Sequence, residues 1–399
     1  HLEGQGLAKV PNEVYSSNQK QPVTELWLQQ NALTVLGPRA AELAALELLY
    51  VNDNPAFDWD GEAASTDLEE TAAQWTRLQE LNLSKTSIQR LPSSAAMWTD
   101  LRQLYLCDLP QLSGESLALL PPFPRLRVLM IHNCPLVEGI AESWSSMVEL
   151  KQGEGFTNST HSECTLPVSS QHAAANHSAK SRSLSHLPST QVSLCSNPNL
   201  CALPSGMGAW AQCEKLFLND NPSLRTLPDS LGGMRSLQKL YVNSCRLTEI
   251  PGSLAELLEL EELYAAQNEI TSLPPLPPSL NKLHVPHNNL TSLPSKLPLG
   301  LEILHCGNNA ISSVEVGLLS ALVEIKFVHF NGNQLSVFPF EDIDACIDAA
   351  QGKPGGGLRV VDLADNPLTE LDEMRARVEA LASRLEKPWA FNGSEGGGG

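Results

Sequence analysis

The sequence predicts an α/β solenoid: a curved right-handed superhelix of about thirteen repeats with a parallel β-sheet on its concave face. Three observations predict it. The pattern LxxLxLxxN recurs from Val23 to Leu368. The recurrence keeps a spacing of about 20–24 residues wherever no insertion interrupts it, the signature of a stacked repeat. Each copy alternates apolar and variable residues, as a short strand with one buried face must. One such strand cannot bury its inner row alone, so neighbouring copies have to stack.

Bulk properties narrow the function classes. The chain has 399 residues, 42% of them apolar, and a formal net charge of -19. A surface that acidic repels a phosphate backbone, so generic nucleic-acid binding is not expected. No apolar run is long enough to span a membrane. The nine cysteines form no CxxC pair and read as reduced thiols, which points to the cytoplasm; a monomer is expected. Because the chain starts at His1 rather than a Met, a missing leader is equally compatible with it.

The copies "VTELWLQQNAL" (23–33), "CEKLFLNDNPSL" (213–224), "LEELYAAQNEI" (260–270), "LNKLHVPHNNL" (280–290) and "IKFVHFNGNQL" (325–335) carry a resemblance. Over roughly residues 23–387 the chain resembles the leucine-rich repeat family. Most units resemble its typical intracellular class, which includes Ras-suppressor-like and plant Ras-group-related proteins. The shorter units ending near Asn288 and Asn309 are similar to those of secreted bacterial effectors. The resemblance implies a non-catalytic scaffold or signalling adaptor that binds a protein or peptide and needs no cofactor. It also leaves open the recognition arm of a larger receptor, kinase or ubiquitin ligase, or a phosphatase-regulatory subunit.

Along the chain, residues 1–22 read as an N-terminal flank without an obvious cap, as a shortened start would give. The repeat domain covers 23–387. The stretch 57–73 holds six acids and predicts a longer convex turn with a helix. The Asn closing each strand can donate and accept, so it can satisfy the turning backbone. Cys134 and Cys245 take that slot as structural thiols, whereas Thr86 and Leu109 predict looser turns. Residues 153–191 form an irregular insert, either a loop or a retained intron. Without it the chain reads "LKQVSLCSNPNL", a full repeat. Its entry at a strand is expected to cost pairing. Residues 340–357 predict a short helix and a Gly-rich link. In 371–387, Leu371, Met374, Val378, Leu381 and Leu385 share one helical face that would cap the core. Residues 388–399 read as a disordered tail.

The residue between the two inward apolar positions points out of the concave face. In order it is Trp27, Tyr50, Asn82, Tyr105, Met130, Ser193, Phe217, Tyr241, Tyr264, His284, His305, His329 and Asp362. Ring-bearing residues suit strands in any case. An exposed aromatic stripe on a soluble protein nevertheless marks a partner site. The candidate partner-binding residues are therefore Trp27, Tyr50, Tyr105, Met130, Phe217, Tyr241, Tyr264, His284, His305 and His329. Parallel imidazoles one strand apart do not converge readily on one ion, so no metal site is expected. No phosphate loop, HExxH or GxSxG occurs, and Cys346–Ile347–Asp348 matches an effector-ligase trio only by coincidence, so no catalytic residue is expected. Mutual repulsion predicts the lowest pKa of the three histidines for His305.

Overall fold

The computed structural model describes residues 1–58, 67–118, 123–140, 142–146, 190–349 and 357–368. Thirteen strands form one open sheet in strict sequence order, and all pairings are parallel. They are β1 Glu25–Trp27, β2 Leu48–Tyr50, β3 Glu80–Asn82, β4 Gln103–Cys107, β5 Val128–His132 and β6 Gln191–Ser193. Then follow β7 Lys215–Phe217, β8 Lys239–Tyr241, β9 Glu262–Tyr264, β10 Lys282–His284, β11 Ile303–His305, β12 Phe327–His329 and β13 Val360–Asp362. Inward residues such as Leu216, Leu240, Leu263, Leu283 and Leu304 are fully buried and stack as one core.

The ladder asparagines tie each turn to the one before. Asn54 accepts from the Leu33 N–H at 2.9 Å and donates to Leu28 O at 3.0 Å and Val51 O at 2.9 Å. Asn268, Asn288 and Asn333 repeat this arrangement. The Cys134 and Cys245 thiols donate to Leu106 O and Leu218 O at 3.1 and 3.2 Å, and burial pushes them up to about 12 and about 11. The residue before this slot is left-handed, for example Asp53 at φ 57°, Asp220 at 59° and His287 at 55°. That conformation is uncommon outside glycine and costs energy, which the ladder bonds offset.

Thr86 and Leu109 do not loosen their turns. Both are buried, the preceding Lys85 and Asp108 keep φ of 56° and 55°, and Thr86 Oγ1 donates to Leu83 O at 2.7 Å. A hydroxyl supplies the donor that Asn would, and Leu109 fills the space with hydrocarbon.

The convex side is built from short 3-10 turns. Pro92, Pro228 and Pro251, at φ -65°, -65° and -63°, precede the turns Ser93–Met97, Asp229–Gly233 and Gly252–Glu256. Proline's fixed φ and missing N–H suit the start of a helical turn. Behind these turns Trp75, Trp98, Phe123 and Trp144 form a buried row, with ring centroids 6.4, 6.5 and 6.1 Å apart. Trp98 Nε1 donates to Ala72 O at 2.9 Å, and Trp210 Nε1 to Trp144 O at 2.8 Å.

Residues 1–22 do cover the open edge, contrary to the expectation of an uncapped flank. The Leu2 and Gly4 N–H groups donate to Trp27 O and Gln29 O at 2.8 and 3.0 Å. Asn31 accepts from the Leu7 N–H at 2.9 Å and donates to Leu2 O at 2.8 Å, the ladder pattern again. Tyr15, from α1 (Asn12–Asn18), is buried, and the Arg39 guanidinium lies 4.5 Å from its ring centroid. The helix expected in 57–73 is α2, Asp67–Gln74, and that expected in 340–357 is α4, Phe340–Ala349, with the small α3 (Gly114–Ala118) between them.

Strand β6 begins on Gln191, within the span assigned to the insert, and pairs with β5 and β7. The sheet therefore passes the insert without the expected loss of pairing. Residues 153–189, the expected capping helix 371–387 and the tail 388–399 lie outside the described residues.

Candidate protein-binding surface

Parallel register with no slip puts the thirteen outward residues in one column. Trp27 pairs with Tyr50, Phe217 with Tyr241, Tyr241 with Tyr264, and so on to His329 with Asp362. Strand spacing then dictates ring stacking. Trp27 and Tyr50 stack at 4.4 Å and 2°. Phe217–Tyr241 and Tyr241–Tyr264 stack at 4.8 and 4.7 Å, and the column continues through His284, His305 and His329 at 5.0 Å per step. Asn82 and Ser193 interrupt it, and Ser193 is buried.

All ten candidate residues lie on this face, but they are half-buried rather than exposed. Trp27 with Tyr50, and Phe217 through His284, cover each other's faces, whereas His284 meets His305 edge to face at 78° and His305 tilts from His329 by 51°. The tyrosine hydroxyls are also engaged. Tyr50 donates to Glu80 Oε2 at 2.6 Å and Tyr105 to Gln103 Oε1 at 2.6 Å, while Tyr241 reaches Glu262 Oε2 at 3.4 Å. Burial and the nearby Glu80 push Tyr105 up to about 12; burial and Glu262 do the same to Tyr264.

Glu262 is the hub of the second half. Its Oε1 accepts from Lys239 Nζ at 2.9 Å and Lys282 Nζ at 3.0 Å. Burial raises its pKa, but the two ammonium groups prevail and hold it below the carboxylate range. Only 7% of Glu262 is exposed.

His284 Nδ1 and His305 Nδ1 stand 3.3 Å apart, so one shared proton can bridge them. Burial lowers the pKa of both, with neighbouring cations adding to it, and His305 falls to about 4. Burial leads here; the mutual repulsion expected from the sequence comes second. A fourth histidine, His132, contacts Ser193 Oγ at 2.5 Å and is also lowered by burial. Sequence reading missed it because it lies two residues beyond the column. Among the described residues no three His, Cys, Asp or Glu groups are placed to hold a metal ion. Nor is any helix among them long and apolar enough to cross a membrane.

The family profile Leucine Rich Repeat matches residues 236–257. Lumican of Gallus gallus is 36% identical over 93 residues, which are 23% of this chain and 25% of lumican. An internalin from Listeria monocytogenes superposes with a TM-score of 0.59 at 18% identity, covering 98% of this chain and 86% of that one. The chain is a leucine-rich repeat protein. The plant peptide hormone receptor RGFR1, solved in complex with RGF2, shares the fold at TM-score 0.51 and 17% identity, over 86% of this chain and 51% of the receptor. This leucine-rich repeat chain thus spans only a quarter of lumican's length, and the matched solved structures speak to its fold. Members of the family are generally non-catalytic binding modules.

Proposed function

We propose that this protein is a non-catalytic interaction module that binds a protein or peptide across its concave face, as a monomeric scaffold or signalling adaptor in the cytoplasm. The observation that carries the reading is the column of six rings in register from Phe217 to His329, of which Phe217, Tyr241, Tyr264 and His284 stack face to face while His305 and His329 follow edge-on and tilted. Stacking fixes the rings before a partner arrives, so little rotamer entropy is lost on binding. The ten column residues named from the sequence are the contact set. The RGFR1 complex lends support to a peptide as the ligand class. A reducing compartment is supported by the eight described cysteines, of which all but Cys201 are buried.

The test is Phe217→Ala, Tyr241→Ala and Tyr264→Ala combined. Partner binding should weaken by at least about 2 kcal/mol. Because the rings stack, each change should also cost about 0.5–1.5 kcal/mol of stability. Quantitative affinity capture with wild type and the folded triple variant reads the first effect. Equal recovery of the same partner by both proteins would remove the concave-face reading.

A further inference from the structure

One register position, two residues before the ring column, changes chemistry along the sheet. From β7 to β13 it reads Lys215, Lys239, Glu262, Lys282, Ile303, Phe327 and Val360, all paired in sequence. The first four residues carry three ammonium groups and one carboxylate, on a chain whose net charge is -19. That carboxylate is already shared by Lys239 and Lys282 at 2.9 and 3.0 Å, so positive charge is left over. The last three residues are apolar and half-exposed, beside the His284–His305–His329 rings. A local basic strip on an acidic molecule and an apolar strip continuing it are independent of the aromatic stack and adjoin it.

We infer that β7–β13 hold one extended peptide whose acidic half lies over Lys215, Lys239 and Lys282 and whose apolar half lies over Ile303, Phe327 and Val360. This rests on the concave-face reading and specifies its ligand. Six strand steps of about 4.8 Å span about 29 Å, the reach of about nine extended residues. Charge complementarity selects the acidic half, since a basic segment there would meet three ammonium groups set against the single carboxylate of Glu262 at that register position. Glu214 and Glu261 stand one residue before β7 and β9 and border the lysine strip, Glu214 beside Lys215. The apolar half gains by covering hydrocarbon that the fold leaves partly in water.

The probes are fluorescein-labelled peptides: Asp-Glu-Asp-Glu-Gly-Leu-Val-Leu-Val, the same blocks in exchanged order, and the same residues alternated. Fluorescence anisotropy at neutral pH should show at least one block peptide binding about tenfold or more tighter than the alternated one. The Lys215→Glu/Lys239→Glu variant and, separately, Phe327→Lys should each weaken that peptide about tenfold. Circular dichroism confirms that each variant is folded; Phe327→Lys still tests the proposal if charge reversal around Glu262 unfolds the first. Block peptides that bind no tighter than the alternated one overturn the inference, and so does unchanged binding by folded variants. The captured natural partner separates the two readings. If the Phe217/Tyr241/Tyr264 variant loses it while the lysine and Phe327 variants keep it, the concave face stands and this ligand chemistry falls.

Discussion

Acidification should loosen the C-terminal third of the solenoid, and His305 is where the effect is largest. Its ring sits between His284 and His329 at 5.0 Å on either side, with His287 nearby. Lys282 adds repulsion at His284, while Glu262 acts against it. Asp362 Oδ2 lies 3.8 Å from His329 Nδ1 on the far side. Burial first, and repulsion from His284, His329 and His287 second, bring His305 to about 4. A histidine in the unfolded chain titrates near 6.5. The folded state therefore binds fewer protons between those values, so the stabilisation is complete above about pH 6.5 and is lost as pH falls toward 4. Full burial would make this about 3 kcal/mol; solvent screening of a half-buried ring reduces it to about 1–2 kcal/mol. The assay is urea unfolding at pH 7.5, 6.5, 5.5 and 4.5, with wild type compared with His305→Gln. Wild type should lose about 1–2 kcal/mol more than the variant across that range. Imidazole NMR gives the midpoint directly. A His305 midpoint near 6.5, or identical pH profiles for the two proteins, would refute the reasoning.

Two further outcomes follow from the core. Trp98→Ala removes a fully buried ring and its 2.9 Å bond to Ala72 O, and should cost about 3–5 kcal/mol in chemical denaturation; a loss under about 1 kcal/mol would mean that the convex turns close over the gap. Deleting residues 153–191 places Gln152 where Gln191 now opens β6 between Val128 and Lys215, so the variant should melt at or above the wild-type temperature by calorimetry. A clearly lower melting temperature would show that the deleted residues stabilise the fold.

The concave half was legible because strand alternation leaves a direct trace in sequence. Leu240 and Val242 flank Tyr241, so one residue in the trio must face outward, and parallel stacking aligns that residue with Phe217 and Tyr264. The convex half left a weaker trace. Trp75 and Trp98 each stand three residues before the first Leu of a repeat, but Phe123, Met234 and Leu257 fill the same offset, so shape complementarity rather than residue type marks it. The N-terminal edge was missed for a related reason. "LEGQGL" carries no LxxLxL, because residues 2–7 supply only the descending part of a turn and lean on Asn31 for its bonds.

How accessible each ring is could not be read from pattern alone. Alternation says that Tyr241 and Tyr264 leave the core; it does not say that they then cover each other at 4.7 Å. Their hydroxyl environment depends on Glu262, whose position depends in turn on Lys239 and Lys282 one strand away on each side. Such a hub needs three strands in register before it exists, and no single repeat encodes it. It also sets how the surface can act. A column already stacked and tied to a buried carboxylate has little freedom to rearrange around a ligand. Selectivity then has to come from what borders the column, and on β7–β13 that border is lysine on one half and hydrocarbon on the other.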